Sequence, residues 1–187
     1  MKLETQLAKL AELGLILNPD ITIEDIIYAV ERHDLEEKPF ELLLFSFGNE
    51  EVEREPWGRR ICNRVWNFDT ECIVSTGDYV KIVQNLCLLT GLPDALTDIV
   101  DYIDLAAGEC WLEYTIRGKR QHWTVDINDD WADMLTLSYV MEELQHDGCQ
   151  FYALDNGQAM ILVYCTPAIA SKLGDLCDED LEPVIPA

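Results

Sequence analysis

The sequence predicts an α+β fold in which N-terminal helices precede an antiparallel sheet of hairpins, with helices packed on one face of the sheet. The first half has apolar residues at helical spacing, whereas the second half contains short alternating runs separated by tight-turn sequences. At 187 residues with 49% hydrophobic residues, the chain is long and apolar enough for one core. We therefore expect a single α+β domain over residues 1–174 and an acidic, flexible tail over residues 175–187.

Capping and breaking residues set the predicted helices of the first half. Thr22 and Asp25 have capping-box spacing at the start of one helix. Pro39 suits the first turn of another helix, and Gly48 is placed to end it. The predicted helices are residues 3–15, 22–30, 40–47 and 78–90, and residues 63–74 are predicted to be extended.

The second half predicts two hairpins and two helices. Residues 111–116 and 123–127 alternate on either side of a turn, and residues 151–154 and 158–165 flank Asp155-Asn156-Gly157, a strong tight-turn signal. Helices are predicted over residues 131–146 and 166–173, with Asp129 or Asp130 as the N-cap of the first and Asp133 in its first turn.

The charge is strongly negative and unevenly distributed. The chain has a net charge of −23, with 9 basic and 17 acidic residues in 1–81 but 4 basic and 19 acidic residues in 82–187. No Lys or Arg occurs from Gln121 to Ser171. Such a surface repels nucleic acid and anionic membranes and favours a basic protein partner. The alternative explanation is an acidic proteome in a high-salt organism.

Catalytic and metal-binding patterns are not evident in the sequence. The calcium-loop-like run that begins at Asp126 has Trp131 and Leu137 where Gly and Glu are required. The seven cysteines are odd in number and widely spread, which predicts reduced thiols in a reducing compartment. Cys62 follows two arginines, yet no neighbouring base would activate it. We therefore predict a non-enzyme without cofactor or metal, expected to remain in the cytoplasm because no signal or membrane-spanning run is evident.

Three acidic groups are candidate partner surfaces. Trp57 belongs with the first, because an exposed Trp on a charged rim is a typical interface anchor. The first group is Glu50, Glu51, Glu53 and Glu55 with Trp57; the second is Asp126, Asp129, Asp130, Asp133, Glu142 and Glu143; the third is Asp98, Asp101 and Asp104. The first two groups are the predicted partner-binding residues.

Several short runs also carry a family resemblance. They are Pro39-Phe40-Glu41-Leu42-Leu43-Leu44, Phe47-Gly48, Trp66-Asn67-Phe68-Asp69 with Glu71, Gly77-Asp78-Tyr79, Asp129-Asp130-Trp131-Ala132-Asp133 and Asn156-Gly157-Gln158. Over about residues 21–173 the chain resembles the small acidic immunity proteins of bacterial polymorphic-toxin and contact-dependent inhibition systems. The resemblance implies a cytoplasmic inhibitor that binds a cognate, often basic, toxin domain and occludes its active site. It assigns no role to any particular residue.

Two other functions stay open at this point. An acidic chain is also expected of a nucleic-acid mimic or regulatory adaptor that titrates a nucleic-acid-binding protein. An enzyme with a scattered site is the third interpretation, for which a deep pocket with a buried, partnered carboxylate or thiol would be required. The sequence leaves the oligomeric state open.

Overall fold

The structure is a computed structural model that describes residues 1–185, with the side chain of Asn156 left out. Helices and strands follow one another in the predicted general order. In chain order they are α1 (Leu3–Glu12), α2 (Ile23–Ala29), α3 (Arg32–Glu37), α4 (Glu41–Phe47), β1 (Val65–Asp69), α5 (Asp78–Thr90), β2 (Leu96–Asp104), β3 (Glu109–Ile116), β4 (Lys119–Thr124), α6 (Met134–Leu144), β5 (Gln150–Asn156), β6 (Ala159–Cys165), α7 (Pro167–Cys177) and β7 (Glu182–Pro183).

The strands form two antiparallel sheets. One has the order β1-β6-β5-β7 and the other the order β2-β3-β4. In the first sheet β6 is central and pairs with β1 on one side and β5 on the other. In the second sheet β3 is central and pairs with β2 and β4. The predicted α+β class, with N-terminal helices followed by antiparallel strands, is confirmed.

The four-stranded sheet is buried on both faces. Alternate residues of a strand point to opposite sides of the sheet, and on β6 both sets of side chains lie in a hydrophobic core. On β6, Ile161 and Val163 pack in one core with residues of α1, α4 and α7. Leu162 and Tyr164 pack in a second core with α5, α6 and the three-stranded sheet. The sequence predicted helices on one face only. Near-continuous burial of β6 is the physical signature of a strand covered on both sides.

The three-stranded sheet, in contrast, has one buried and one exposed face. Leu112 and Tyr114 on β3 are fully buried against α5 and α6. Trp111 and Glu113, one residue out of phase with them, lie on the outer face. This sheet therefore shows the alternation that is typical of a half-covered antiparallel sheet.

Several element boundaries differ from the predictions. Strand β2 was missed because it carries an irregularity between Thr97 and Val100 and has several exposed positions, which disrupt the alternation. Helix α3 was also missed, since Leu35 is its one fully buried residue. The helix predicted over residues 131–146 is shorter and begins at Met134.

The predicted boundary at residue 174 falls inside α7, which continues to Cys177. Leu181 is buried, and the main-chain N–H of Val184 donates a hydrogen bond to the carbonyl of Phe151 at 3.0 Å. Residues 181–185 therefore return to the four-stranded sheet, where β7 pairs with β5. The last two residues of the predicted tail, Pro186 and Ala187, lie outside the described residues. No helix within residues 1–185 is both long and apolar enough to cross a membrane.

Candidate partner-binding surface

The carboxylate of Asp133 serves the start of α6. Its Oδ1 accepts hydrogen bonds from the main-chain N–H groups of Leu135 at 3.0 Å and Thr136 at 3.3 Å. Its Oδ2 accepts from the Thr136 hydroxyl at 2.7 Å and from the Asp126 N–H at 3.2 Å. Asp133 is thus the N-cap, and the prediction that Asp129 or Asp130 caps this helix is wrong. Several acidic residues close together in the sequence could cap the helix, and the backbone geometry shows that Asp133 is the N-cap.

The loop before α6 is fixed against the segment that follows β1. The Ile73 N–H donates to the carbonyl of Asp130 at 2.8 Å, and the Ala132 N–H donates to the carbonyl of Thr70 at 2.7 Å. A bridge between Glu71 and Trp131 adds to this attachment. The acidic side chains of this loop are therefore presented from an ordered backbone.

Four large apolar side chains lie exposed in this loop and along α6. Exposed fractions are 36% for Ile127, 38% for Trp131, 59% for Leu135 and 40% for Tyr139. Leu135 and Tyr139 are one turn apart and share the outward face of α6. Trp123 of β4 stacks on Tyr139, with ring centroids 5.0 Å apart. The sequence did not predict that these residues are exposed, because the helical spacing of an apolar run does not show which face the fold leaves uncovered.

Acidic residues accompany the exposed apolar side chains. Asp126 and Asp129 are exposed, Asp130 is half-buried, and Glu142 lies seven residues after Leu135, on the same face of α6. Together these residues define what we call the α6 surface. Its members are Asp126, Ile127, Asp129, Asp130, Trp131, Leu135, Tyr139 and Glu142.

The carboxylates of the α6 surface are not neutralised by salt bridges. Among residues 1–185, no Lys, Arg or His lies within 4 Å of the carboxylates of Asp126, Asp129, Asp130 or Glu142. Nor does any salt bridge in that range join a basic residue of the first 81 residues to a carboxylate beyond them. The charges of these four carboxylates are therefore not offset by an ion pair within the described residues.

Glu143 does not belong to this surface. It is half-buried, and its Oε2 accepts a hydrogen bond from the Tyr114 hydroxyl at 2.6 Å. That hydroxyl in turn accepts from Trp123 Nε1 at 3.0 Å. Burial and the neighbouring carboxylate raise the pKa of Tyr114, so the phenol stays protonated and keeps donating. One step along a helix rotates a side chain by about 100°, which separates Glu143 from Glu142.

The 50–57 loop is a different kind of surface. Glu50 accepts hydrogen bonds from Trp66 Nε1 at 2.6 Å and Asn85 Nδ2 at 3.2 Å, and Glu51 accepts one from the Gly58 N–H. These two carboxylates are engaged in local structure. Glu53 and Glu55 are exposed, and Trp57 is 63% exposed, as an interface anchor would be.

Two arginines of the same segment pair with an acid outside this loop. Arg54 and Arg59 both reach the buried carboxylate of Asp25, at 3.4 Å and 3.0 Å. The hydrogen bond from Arg59 holds the pKa of Asp25 well below its usual range. Asp25 also completes the predicted capping box with Thr22, which is confirmed. The first acidic group therefore differs from the α6 surface in that two of its carboxylates, Glu50 and Glu51, are engaged in local hydrogen bonds.

The third acidic group is largely structural. Asp101 is buried, and its carboxylate accepts hydrogen bonds from main-chain N–H groups at the start of α5. Asp104 accepts one from the Ala107 N–H at 2.8 Å in the turn after β2. These two carboxylates are therefore occupied by the fold itself.

The cysteines are free thiols in apolar surroundings. Burial raises the pKa of Cys72, Cys87 and Cys110 to about 11 and that of Cys165 to about 12. Burial also raises the pKa of Cys62, so its thiolate is disfavoured despite the arginines before it. Within the described part of the chain, no group of three or more His, Cys, Asp and Glu side chains is arranged to hold a metal ion.

Comparison of the chain with protein-family models, with curated proteins and with solved structures found no match. The fold and the site define an α+β protein whose second half presents an exposed surface of acidic and apolar side chains.

Proposed function

We propose that the protein is a bacterial immunity protein that binds a basic toxin domain through the α6 surface and neutralises it by occluding its active site in the cytoplasm. One observation carries the proposal: carboxylates without salt bridges surround exposed aromatic and aliphatic side chains on an ordered loop and helix. Exposed apolar patches rimmed by polar residues are typical of protein interfaces.

The two components of the α6 surface have different physical roles. Trp131 and Tyr139 offer aromatic area that a partner can desolvate, and such residues supply much of the affinity of protein interfaces. The surrounding carboxylates accelerate encounter with a basic partner, toward rate constants of about 10⁸–10⁹ M⁻¹s⁻¹ at low salt. Fast association matters for an inhibitor that competes with the target of a toxin.

A growth assay tests the proposal. A basic toxin domain encoded next to this gene is expressed in a sensitive bacterium, and the wild-type chain is expected to restore growth. Asp129→Asn with Asp130→Asn should require about tenfold more inhibitor for the same rescue, because two unpaired carboxylates are lost. Asn tolerates the left-handed backbone of Asp129, where φ is 55°, so the fold should persist.

Glu53→Gln with Glu55→Gln is the matched control, since it removes two exposed charges that lie outside the α6 surface. Its rescue should equal that of the wild-type chain. Failure of the wild-type chain to protect against any adjacent toxin would contradict the proposal. Binding of a non-toxic nucleic-acid-binding protein would instead support a titrating adaptor.

A further inference from the structure

The edges of the two sheets are not equally protected. Exposed edges are templates for pairing with another chain, and proteins usually block them. On β1 the Asn67 N–H is already bonded to the carbonyl of Gly48 at 2.9 Å. Strand β7 has two residues, and β2 carries an irregularity and a hydrogen bond from the Ile103 N–H to the Thr76 hydroxyl at 3.0 Å.

Strand β4 has none of these protections. It is six residues long, contains no proline, and within residues 1–185 it pairs with β3 alone. The hairpin closes at Ile116 and Lys119 through a two-residue turn, so every second residue of β4 directs its main-chain groups away from β3. These residues are Arg120, His122 and Thr124.

Two of the three basic side chains of β4 do not project past its edge. Arg120 reaches back across the sheet to Glu113 at 2.6 Å and to the carbonyl of Asp98 at 2.7 Å. The ring of His122 lies 2.9 Å from the same Glu113 carboxylate. A charged side chain protects an edge by projecting past it. Because these two side chains turn inward and Lys119 lies at the turn end of the strand, the main-chain groups of Arg120, His122 and Thr124 remain accessible.

The open edge is continuous with the α6 surface. Asp126 follows the end of β4 by two positions, and Trp123 of β4 stacks on the exposed ring of Tyr139. A strand added beside β4 would place alternate side chains against these two aromatic rings. The unpaired carboxylates of the α6 surface favour basic residues at the end of that strand near Asp126, whereas Lys119 lies at the opposite end of β4. A second copy of a chain with net charge −23 is disfavoured by repulsion.

We infer that an extended basic segment of the partner pairs with β4 as a fourth strand of the three-stranded sheet. The identity of the partner as a toxin domain rests on the proposed function. Main-chain hydrogen bonds to the outward groups of β4 contribute affinity, and contacts of alternate side chains with Trp123 and Tyr139 contribute specificity.

His122→Pro tests the inference by removing one outward N–H, whereas His122→Ala removes the same ring and keeps the N–H. Neither change breaks a main-chain hydrogen bond to β3, and both remove the contact of the ring with Glu113, so the pair isolates the N–H. Proline is tolerated at outward positions of edge strands. Against the catalytically inactivated toxin domain of the growth assay, His122→Pro should bind about tenfold more weakly or worse, and His122→Ala within about threefold of wild type. Circular dichroism and thermal unfolding check that both variants fold, and Thr124→Pro serves as a second proline variant.

Amide hydrogen exchange provides a measurement that needs no variant. In the complex, exchange at Arg120, His122 and Thr124 should slow markedly relative to the free chain. Unchanged exchange together with wild-type affinity of the proline variants would overturn the inference and leave the proposed function standing. A dimer of the free chain that His122→Pro dissociates would also overturn it, by identifying a second copy as the occupant. A wild-type chain that binds no toxin would remove both proposals.

Discussion

The carboxylate of Asp101, on strand β2, caps the start of helix α5. It lies on β2 with 7% of its surface exposed, yet its oxygens accept hydrogen bonds from the N–H groups of Gly77, Tyr79 and Val80 at 2.6, 2.9 and 3.3 Å. The first N–H groups of a helix lack intrahelical partners and carry partial positive charge. A buried acid is therefore a stabilising residue here, although nothing in its sequence neighbourhood distinguishes it from exposed acids.

Replacement of Asp101 by Ala should lower the free energy of unfolding by about 2–4 kcal/mol, because it leaves buried N–H groups without an acceptor. Urea unfolding of both proteins measures the difference. The exposed Asp94→Ala is the control and should change stability by less than about 0.5 kcal/mol. Equal effects of the two substitutions would mean that Asp101 does not hold the start of α5.

Helix α6 has apolar residues on both its buried face and its exposed face. Leu137 is fully buried, whereas Leu135, two residues earlier, is 59% exposed. Two residues rotate a helix by about 200°, so the two leucines point in nearly opposite directions. Deleting side-chain volume at these two positions therefore separates stability from binding.

Leu137→Ala should reduce the free energy of unfolding by about 2–5 kcal/mol through the cavity it leaves. Leu135→Ala should leave stability nearly unchanged and weaken binding of the toxin domain about tenfold. Urea unfolding and isothermal titration calorimetry provide the two readouts. If Leu135→Ala bound as tightly as the wild-type chain, the exposed face of α6 would have no part in the interface.

Local signals predicted the elements whose ends depend on neighbouring residues. The capping box at Thr22 is of this kind, and helix α5 spans the predicted residues 78–90. The second hairpin also has a tight turn, but it lies at Gly157 and Gln158, because Asp155 and Asn156 of the predicted turn belong to β5. Strand β2 was not predicted, because its pattern of exposed and buried residues depends on its pairing with β3 and on the irregularity in that pairing, which are long-range properties. The same holds for the site: the sequence locates the acids, but exposure of Leu135 depends on which elements cover α6.

Charge is organised at the level of the whole molecule. In the first half, some acids have arginine or lysine partners, as in the pair between Arg59 and Asp25 at 3.0 Å. In the second half, Arg120 pairs with Glu113 and not with a carboxylate of the α6 surface. Negative charge is thus distributed asymmetrically along the chain, with 4 basic and 19 acidic residues in 82–187, and unpaired carboxylates orient a basic partner during encounter.

This asymmetry predicts a kinetic response to salt. Between about 50 and 500 mM NaCl, the association rate constant with the basic toxin domain should fall about tenfold or more, because salt screens exposed charges. The dissociation rate constant should change little, since it depends on short-range contacts. Surface plasmon resonance at several salt concentrations measures both constants, and Asp129→Asn with Asp130→Asn should flatten the dependence of the association rate constant. Adaptation to a saline cytoplasm predicts a different result: molar KCl would strongly stabilise the fold, and the double Asn variant would associate with the same salt dependence as the wild-type chain.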